Sequence, residues 1–351
     1  MLRALQLLST DRESSSFAEA RGAMMLADNS TEACRSLVLT IGRGGDYRSA
    51  PEAAIRLRFA HAFNLVHAWD PPALMAALGT GLPVVFSVSG RMSRGTWSWL
   101  AAMAYRDVHV VADSHTACGR LLRAGIPPAR CHVIAPGVDR DRLAPCRDHR
   151  LREQLGLAAE DRVVLAPGES TFAAGHKLAL HATSILHVLD PRYRLLLWGR
   201  GREAGSIAWL GRRLRQERVV VDAERRLGRR IDFEQLLGIA DLALVTPQST
   251  ASALPIALCA AAGLPIIAVD NPLVREILTP QSTAIVPSPK PRLLAQRMME
   301  LFENPDAARQ LALAAAALGL ERFTEGAFVA ACHSLYTTLA MTSAPSEPVT
   351  V

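Results

Sequence analysis

The chain of 351 residues has almost no lysine: Lys177 and Lys290 are its two, although Lys and Arg together number 39. Its basic excess, +6 at pH 7 with a pI near 9.3, is therefore carried by arginine. Such a surplus favours anionic partners such as phosphates, an acidic membrane surface or nucleic acid; genome composition explains an arginine bias equally well. Cysteine is sparse too. Cys34, Cys118, Cys131, Cys146, Cys259 and Cys332 form no CxxC pair and show no zinc spacing, which leaves reduced, mostly buried thiols of a cytoplasmic protein. Aromatics make up 5%. They are not interleaved with the arginines as in a single-strand nucleic-acid platform, and no helix-turn-helix or zinc signature is present, so no nucleic-acid partner is expected. Long apolar runs are also missing. The nearest, 252–269, is divided by Pro255, Gly263 and Pro265 into a buried helix and a buried strand. Residues 1–10 have too short an apolar run for a secretory signal, and Asp11 to Glu13 follow at once. The expected location is the cytoplasm, either free or peripheral at the inner face of the membrane.

What is present is a folded-protein composition, 50% hydrophobic and 21% charged, of a length that suits about two domains. Residues 240–270, "ADLALVTPQSTASALPIALCAAAGLPIIAVD", are the organising stretch. Leu242 to Val245 reads as a strand and Thr246 to Ser252 as a polar loop. Pro255 suits the first turn of a helix that Gly263 ends, and Ile266 to Val269 is the next strand. This strand–loop–helix–strand unit builds parallel sheets, whose ligands bind outside the carboxyl ends of the strands. Strands at 2–8, 36–41, 63–70, 84–88, 108–114 and 131–139 alternate with helices at 17–26, 51–62, 71–78, 96–105 and 115–125. Charges and Pro145 then mark 140–152 as a linker. A second series has strands at 163–166, 194–198, 219–221, 242–245, 266–269 and 283–286, with helices at 178–189, 206–216, 233–239, 291–302, 306–318 and 325–339. The expected fold is α/β, two Rossmann-like doubly wound domains facing across a cleft where chemistry would take place.

Two segments carry a family resemblance. "VVADSHTACGRLLRAGIPPARCHVIAPGVDRDRLAP", 110–145, holds Ser114, Gly125-Ile126, Pro136-Gly137-Val138-Asp139 and Pro145 in the register of a strand–Ser–helix–Gly–strand–"PNGVD" junction. "ALPIALCAAAGLPIIA" is similar to "GLPLLEAMACGTPVVA". "FNLVHAWD", "LWGRG" and "ERFTEGAFVAACHSLY" also fit. Together they resemble the family-4 (group 1) glycosyltransferases of GT-B fold, over nearly the whole chain. The resemblance implies an acceptor-side domain at 1–145, a nucleotide-sugar domain at 146–322, a helix at 323–341 crossing back to the first, and a frayed tail at 342–351. It further implies retaining, metal-independent transfer of a sugar from a nucleotide-diphosphate sugar, with no cofactor, to an unknown acceptor such as a glycan or a lipid-linked group. Without a cation the diphosphate must be held by Lys, Arg, amides and helix N-termini.

The family's paired glutamates fall on Thr250 and Leu258, which cannot act as carboxylates. Its usual Arg falls in Gly168-Glu169-Ser170, its usual His at Ser89, and its Gly-rich turn at Thr10 to Ser16. These departures raise a second reading, a catalytically impaired GT-B pseudoenzyme that binds or regulates another glycosyltransferase; a sugar epimerase of the same fold is a third. Lys177, in "AAGHKL" at a helix start, matches the family's phosphate-binding lysine and doubles as a candidate catalytic residue; otherwise it is a solvated lysine. Gly168, Gly199 and Gly201 are placed near the nucleotide, or else mark turns that need positive φ. Gln248, Ser249, Thr250 and Ser252 offer amide and hydroxyl contacts to phosphate or sugar. Asp70, ending a first-domain strand, either steers or deprotonates an acceptor hydroxyl or caps the helix at Pro71. The arginine-rich run from Arg212 to Arg230 is either a peripheral membrane contact or a solvated face.

Overall fold

The computed structural model describes residues 1–9, 17–41, 62–88, 108–143, 148–249 and 251–342. The chain divides into two compact units, one of 1–137 with 325–351 and one of 138–324. Thr10 to Ser16, the helices expected at 51–62 and 96–105, Ser89, Pro145, Thr250 and the tail beyond 342 lie wholly or almost wholly outside the described residues.

In the first unit, β1 (Leu2–Ser9), β2 (Cys34–Ile41), β3 (Leu65–Ala68), β4 (Val84–Val88), β5 (Val108–Ala112) and β6 (Cys131–Val133) form one parallel sheet in the order β2-β1-β3-β4-β5-β6. Its described helices are α1 (Phe17–Asp28), α2 (Pro71–Ala77), α3 (His115–Arg123) and, at the end of the chain, α13 (Glu325–Thr342). β3 and β4 are buried along their whole length. This is the mark of strands covered on both faces, and it explains why they are apolar apart from His67 and Ser87, which pair with each other. The strand expected at 131–139 stops at Val133: Ile134 N–H makes a last bond to Ala112 O at 3.0 Å, where β5 itself ends. Helix α13 packs Phe328, Val329, Cys332, Leu335 and Leu339 against Leu8, Leu65, Trp69 and Val85. A buried polar chain fixes it. Tyr336 hydroxyl donates to His67 Nδ1 at 2.5 Å, His67 Nε2 donates to Ser87 Oγ at 2.8 Å, and Gln6 Nε2 donates to the Tyr336 oxygen at 3.2 Å. Burial holds the imidazole neutral, its pKa pushed down to about 3.

The second unit contains α4 (His149–Gln154), β7 (Arg162–Leu165), α5 (His176–Leu189), β8 (Tyr193–Leu197), α6 (Ala204–Arg213), β9 (Val220–Asp222), α7 (Ala223–Leu227) and α8 (Phe233–Leu237). Then come β10 (Leu242–Val245), α9 (Leu254–Ala261), β11 (Ile266–Val269), α10 (Pro272–Ile277), β12 (Ala284–Val286), α11 (Pro291–Glu303) and α12 (Pro305–Arg322). Its parallel sheet runs β12-β11-β10-β7-β8-β9. The chain winds one way from β7 through β8 to β9, then returns and winds the other way from β10. The switch point therefore lies between β7 and β10. Leu180, Leu186, Leu195, Leu197, Ile207 and Leu294 form part of the core between sheet and helices, each worth about 2 kcal/mol of burial.

Three short helices were not expected from sequence. α4 begins inside the stretch read as a linker and runs on to Gln154, α7 follows β9 directly, and α10 starts three residues after the end of β11. Each is defined by a cap and not by periodicity: Asp148 accepts from Leu151 N–H, Asp222 from Arg225 N–H and Asn271 from Leu273 N–H. Arg152 of α4 is buried. It donates to Asp161 O at 2.7 Å and Ile239 O at 3.2 Å, and lies 3.6 Å from Asp241 Oδ1. The charge that suggested a linker is thus a core anchor.

Candidate functional site

Three loops of the second unit meet at the carboxyl ends of β7, β8 and β10, and backbone bonds join them. From β7, residues 166–175 run to α5; from β8, residues 198–203 run to α6; from β10, residues 246–253 run to α9. Ser170 N–H donates to Arg200 O at 2.7 Å, and Glu203 N–H returns a bond to Ser170 O at 2.8 Å. Gln248 N–H donates to Ala173 O at 2.9 Å, and the buried Thr246 hydroxyl donates to Gly175 O at 3.0 Å. So the switch-point loops are built as one block.

Glycines permit this approach. Gly168, Gly175, Gly199 and Gly201 all have positive φ, +83°, +70°, +102° and +105°. Gly201 lies flat on the Ser170 peptide, where a Cβ would stand 2.6 Å from Ser170 N. Gly175 faces Thr246 O, with Gln248 Cγ at 2.9 Å from the place of a Cβ. Neither position tolerates a side chain. The open side of Gly168 meets Pro255 in the first turn of α9, and that of Gly199 meets Asp222 and Glu224 at the end of β9.

Helix α5 starts immediately after Gly175, and its first turn leaves amides with no partner inside the helix at its electropositive end. His176 is buried there. Its Nε2 donates to Pro167 O at 3.2 Å, so Nδ1 is the acceptor for Ser170 hydroxyl at 3.0 Å. Burial keeps the ring neutral, with its pKa down to about 4. Lys177, half-exposed beside it, extends Nζ to Glu203 Oε1 at 2.7 Å. Among the described residues the buried Ser249 Oγ has no hydrogen-bond partner, as is true of Ser184 Oγ and Arg194 Nε elsewhere in the unit; a ligand or a water would satisfy it. The block presents a helix N-terminus, one ammonium and an unsatisfied hydroxyl, a set suited to a phosphorylated anion.

Of the residues singled out from sequence, Gly168, Lys177, Gly199, Gly201, Gln248, Ser249 and Ser252 lie in or against this block, and Thr250 lies outside the described residues. Leu258 is buried in α9 and offers no polar group. Asp70 belongs to the first unit. It is fully buried, and its Oδ1 accepts from Ala73 N–H at 2.8 Å as the cap of α2; this is the geometry of the capping alternative. Glycine spacing in sequence did not point to Ser170, His176 or Glu203, whose partners come from other loops. The one local signal was His176 beside Lys177. Among the described residues no three His, Cys, Asp or Glu side chains gather as metal ligands, and no helix is long and apolar enough to cross a membrane. In the arginine-rich run, Arg226 is turned inward to Leu155 O at 3.3 Å, whereas Arg212, Arg213, Arg215 and Arg218 are exposed.

Comparison with known proteins agrees over both units. Residues 11–142 match the profile described as Glycosyltransferase Family 4, and residues 148–317 match Glycosyl transferases group 1. EpsD of Bacillus subtilis, a protein assigned to the glycosyltransferases, is 24% identical over 240 residues, 68% of this chain. The match spans 62% of the length of that relative. Among solved structures, HepE of Anabaena in complex with UDP and glucose superposes with a TM-score of 0.78 at 20% identity, covering 96% of this chain and 100% of that one. Sucrose-phosphate synthase of Thermosynechococcus elongatus gives 0.72 at 18%, covering 97% and 100%. The two parallel sheets are those of the GT-B fold, and the chain belongs to the family-4, group 1 glycosyltransferases.

Proposed function

We propose that this protein transfers a sugar from a nucleotide-diphosphate sugar to an acceptor, with the donor held by the second unit. The observation that carries this reading is the block of loops at the switch point between β7 and β10. It sets Lys177 at the N-terminus of α5 and leaves Ser249 Oγ unsatisfied. The diphosphate draws Lys177 Nζ away from Glu203 and lies against the first-turn amides of α5. The loop 246–253 adds amide and hydroxyl contacts. The transfer proceeds without a metal ion, the ammonium and amides carrying the charge that develops on the leaving diphosphate, and with retention at the anomeric carbon, as the family suggests. The acceptor is a glycan or a lipid-linked group at the cytoplasmic side of a membrane. UDP is the first donor nucleotide to test, because a similar fold in HepE was crystallised with it.

The test is thermal stabilisation by UDP-, GDP- and ADP-sugars in the presence of EDTA, repeated with Lys177→Ala. A rise in melting temperature with one of the three, reduced in the variant, supports the reading. No shift with any donor, and no effect of the variant, overturns it.

A further inference from the structure

We propose that the C-terminal ends of α5 and α6 form a face that docks on an anionic phospholipid bilayer. α5 joins β7 to β8 and α6 joins β8 to β9. These are successive right-handed crossovers in one direction, so both helices cover the same face of the sheet. The two helices pack against each other, and both run back from the carboxyl to the amino ends of adjacent parallel strands, so their last turns lie at the same end of the sheet. There Val188 and Leu189 are 71% and 72% exposed and Trp209 is 57% exposed, with Leu214 also exposed. Single exposed apolar groups are ordinary; large ones gathered at two adjoining helix ends mark an interaction surface.

The charge beside them is of one sign. Arg212 and Arg213 follow Trp209 at the three- and four-residue spacing that puts them on its stripe of α6, and Arg215 and Arg218 continue in the following turn. All four are exposed, none of them pairs with a carboxylate among the described residues, and Glu217 is the single acid in the segment 209–218. Arg215 also holds φ at +55°. It occupies the left-handed position of a helix-ending motif closed by the Gln216 N–H to Gly211 O bond at 2.8 Å, where glycine is usual. An exposed indole with guanidiniums on the same helix stripe suits a lipid–water interface, with the ring at headgroup depth and the cations on anionic phosphates. A lone Trp does not make a base-stacking platform, which needs successive aromatics. The face lies towards the amino ends of the strands, away from the loop block, so docking leaves that block open.

The proposal stands independently of the donor reading, and its test needs no nucleotide. The full chain is mixed with vesicles of phosphatidylcholine alone and of phosphatidylcholine with about 30% phosphatidylglycerol, and bound protein is measured by sedimentation. Binding to the anionic vesicles alone, weakened by added salt, is expected. Each arginine near such a surface is worth roughly fivefold in partitioning, so Arg212→Gln with Arg213→Gln should lower it at least tenfold. Trp emission should shift to the blue with vesicles and lose most of that shift in Trp209→Phe, while emission from the buried Trp198 in the free variant stays as in the parent and reports a retained fold. Equal binding to neutral vesicles, no binding to anionic ones, or binding indifferent to these substitutions overturns the proposal. So does tighter binding to a duplex oligonucleotide than to vesicles.

Discussion

Lys177 Nζ, from the first turn of α5, lies 2.7 Å from Glu203 Oε1, at the end of the loop that leaves β8. Both side chains are partly in water, so the pair itself contributes at most about 1 kcal/mol to stability. Its importance is competitive: a diphosphate must displace Glu203 to reach the ammonium. Lys177→Ala should leave unfolding by urea nearly unchanged and weaken UDP binding roughly tenfold. Glu203→Gln, which removes the competing carboxylate, should tighten UDP severalfold in the same titration. A weaker complex with Glu203→Gln would show that the carboxylate contacts the ligand.

Gly201 and Gly205, one turn of chain apart, should respond oppositely to alanine. Gly201 has φ of +105° and its open side against the Ser170 peptide, so Gly201→Ala should cost roughly 2 kcal/mol or more. Gly205, on the exposed face of α6 with nothing within 4 Å of a Cβ, should gain about 0.5–1 kcal/mol as alanine. Urea midpoints of the two variants give the comparison directly.

Arg152→Met should destabilise the second unit by about 3 kcal/mol, because it strands the carbonyls of Asp161 and Ile239 and leaves Asp241 without its buried cation. Calorimetry of the variant against the parent measures this. An unchanged melting temperature would mean that α4 is the linker its charge pattern suggests.

Acid should act first through histidines. His67 and His176 are depressed to about 3 and about 4 by burial, and burial lowers His132 and His333 as well. The folded chain therefore binds fewer protons than the unfolded chain below the ordinary value near 6.5. For His67 and His176 the stabilising effect is complete above pH 6.5 and is lost as pH falls towards 4, at up to about 1.4 kcal/mol per pH unit for each; His132 and His333 act in the same direction. Asp190, held down to about 2 by Arg192, adds its loss only below about pH 4. Urea unfolding at pH 7 and pH 5 should show the decline, and His176→Gln should flatten it.

The long elements were legible because their signals are local. Val84–Val88 reads as an apolar run bounded by Pro83, and Pro291–Glu303 opens on Pro291 and carries helical periodicity. Helices of five or six residues, such as Ala223–Leu227 and Pro272–Ile277, contain too few turns for periodicity to show, and a single cap decides them. At the site, Lys177 stood out through its match to the family's lysine and its scarcity, and Gly168, Gly199 and Gly201 through their places in matched segments, whereas Gly175 did not stand out. Ser170, His176 and Glu203 did not, because each acquires its meaning from a partner on a separate segment of backbone or loop.

The sequence by itself determined two doubly wound parallel units and their family, since alternating apolar strands, helix stops and junction motifs are properties of consecutive residues. Only the tertiary structure decided that Asp70 is sealed beneath a helix start, that Arg152 is a core anchor, and that Lys177 rests on Glu203. Burial and pairing depend on which strand ends the winding order brings together, and in a parallel sheet those ends are separated by whole crossovers of chain.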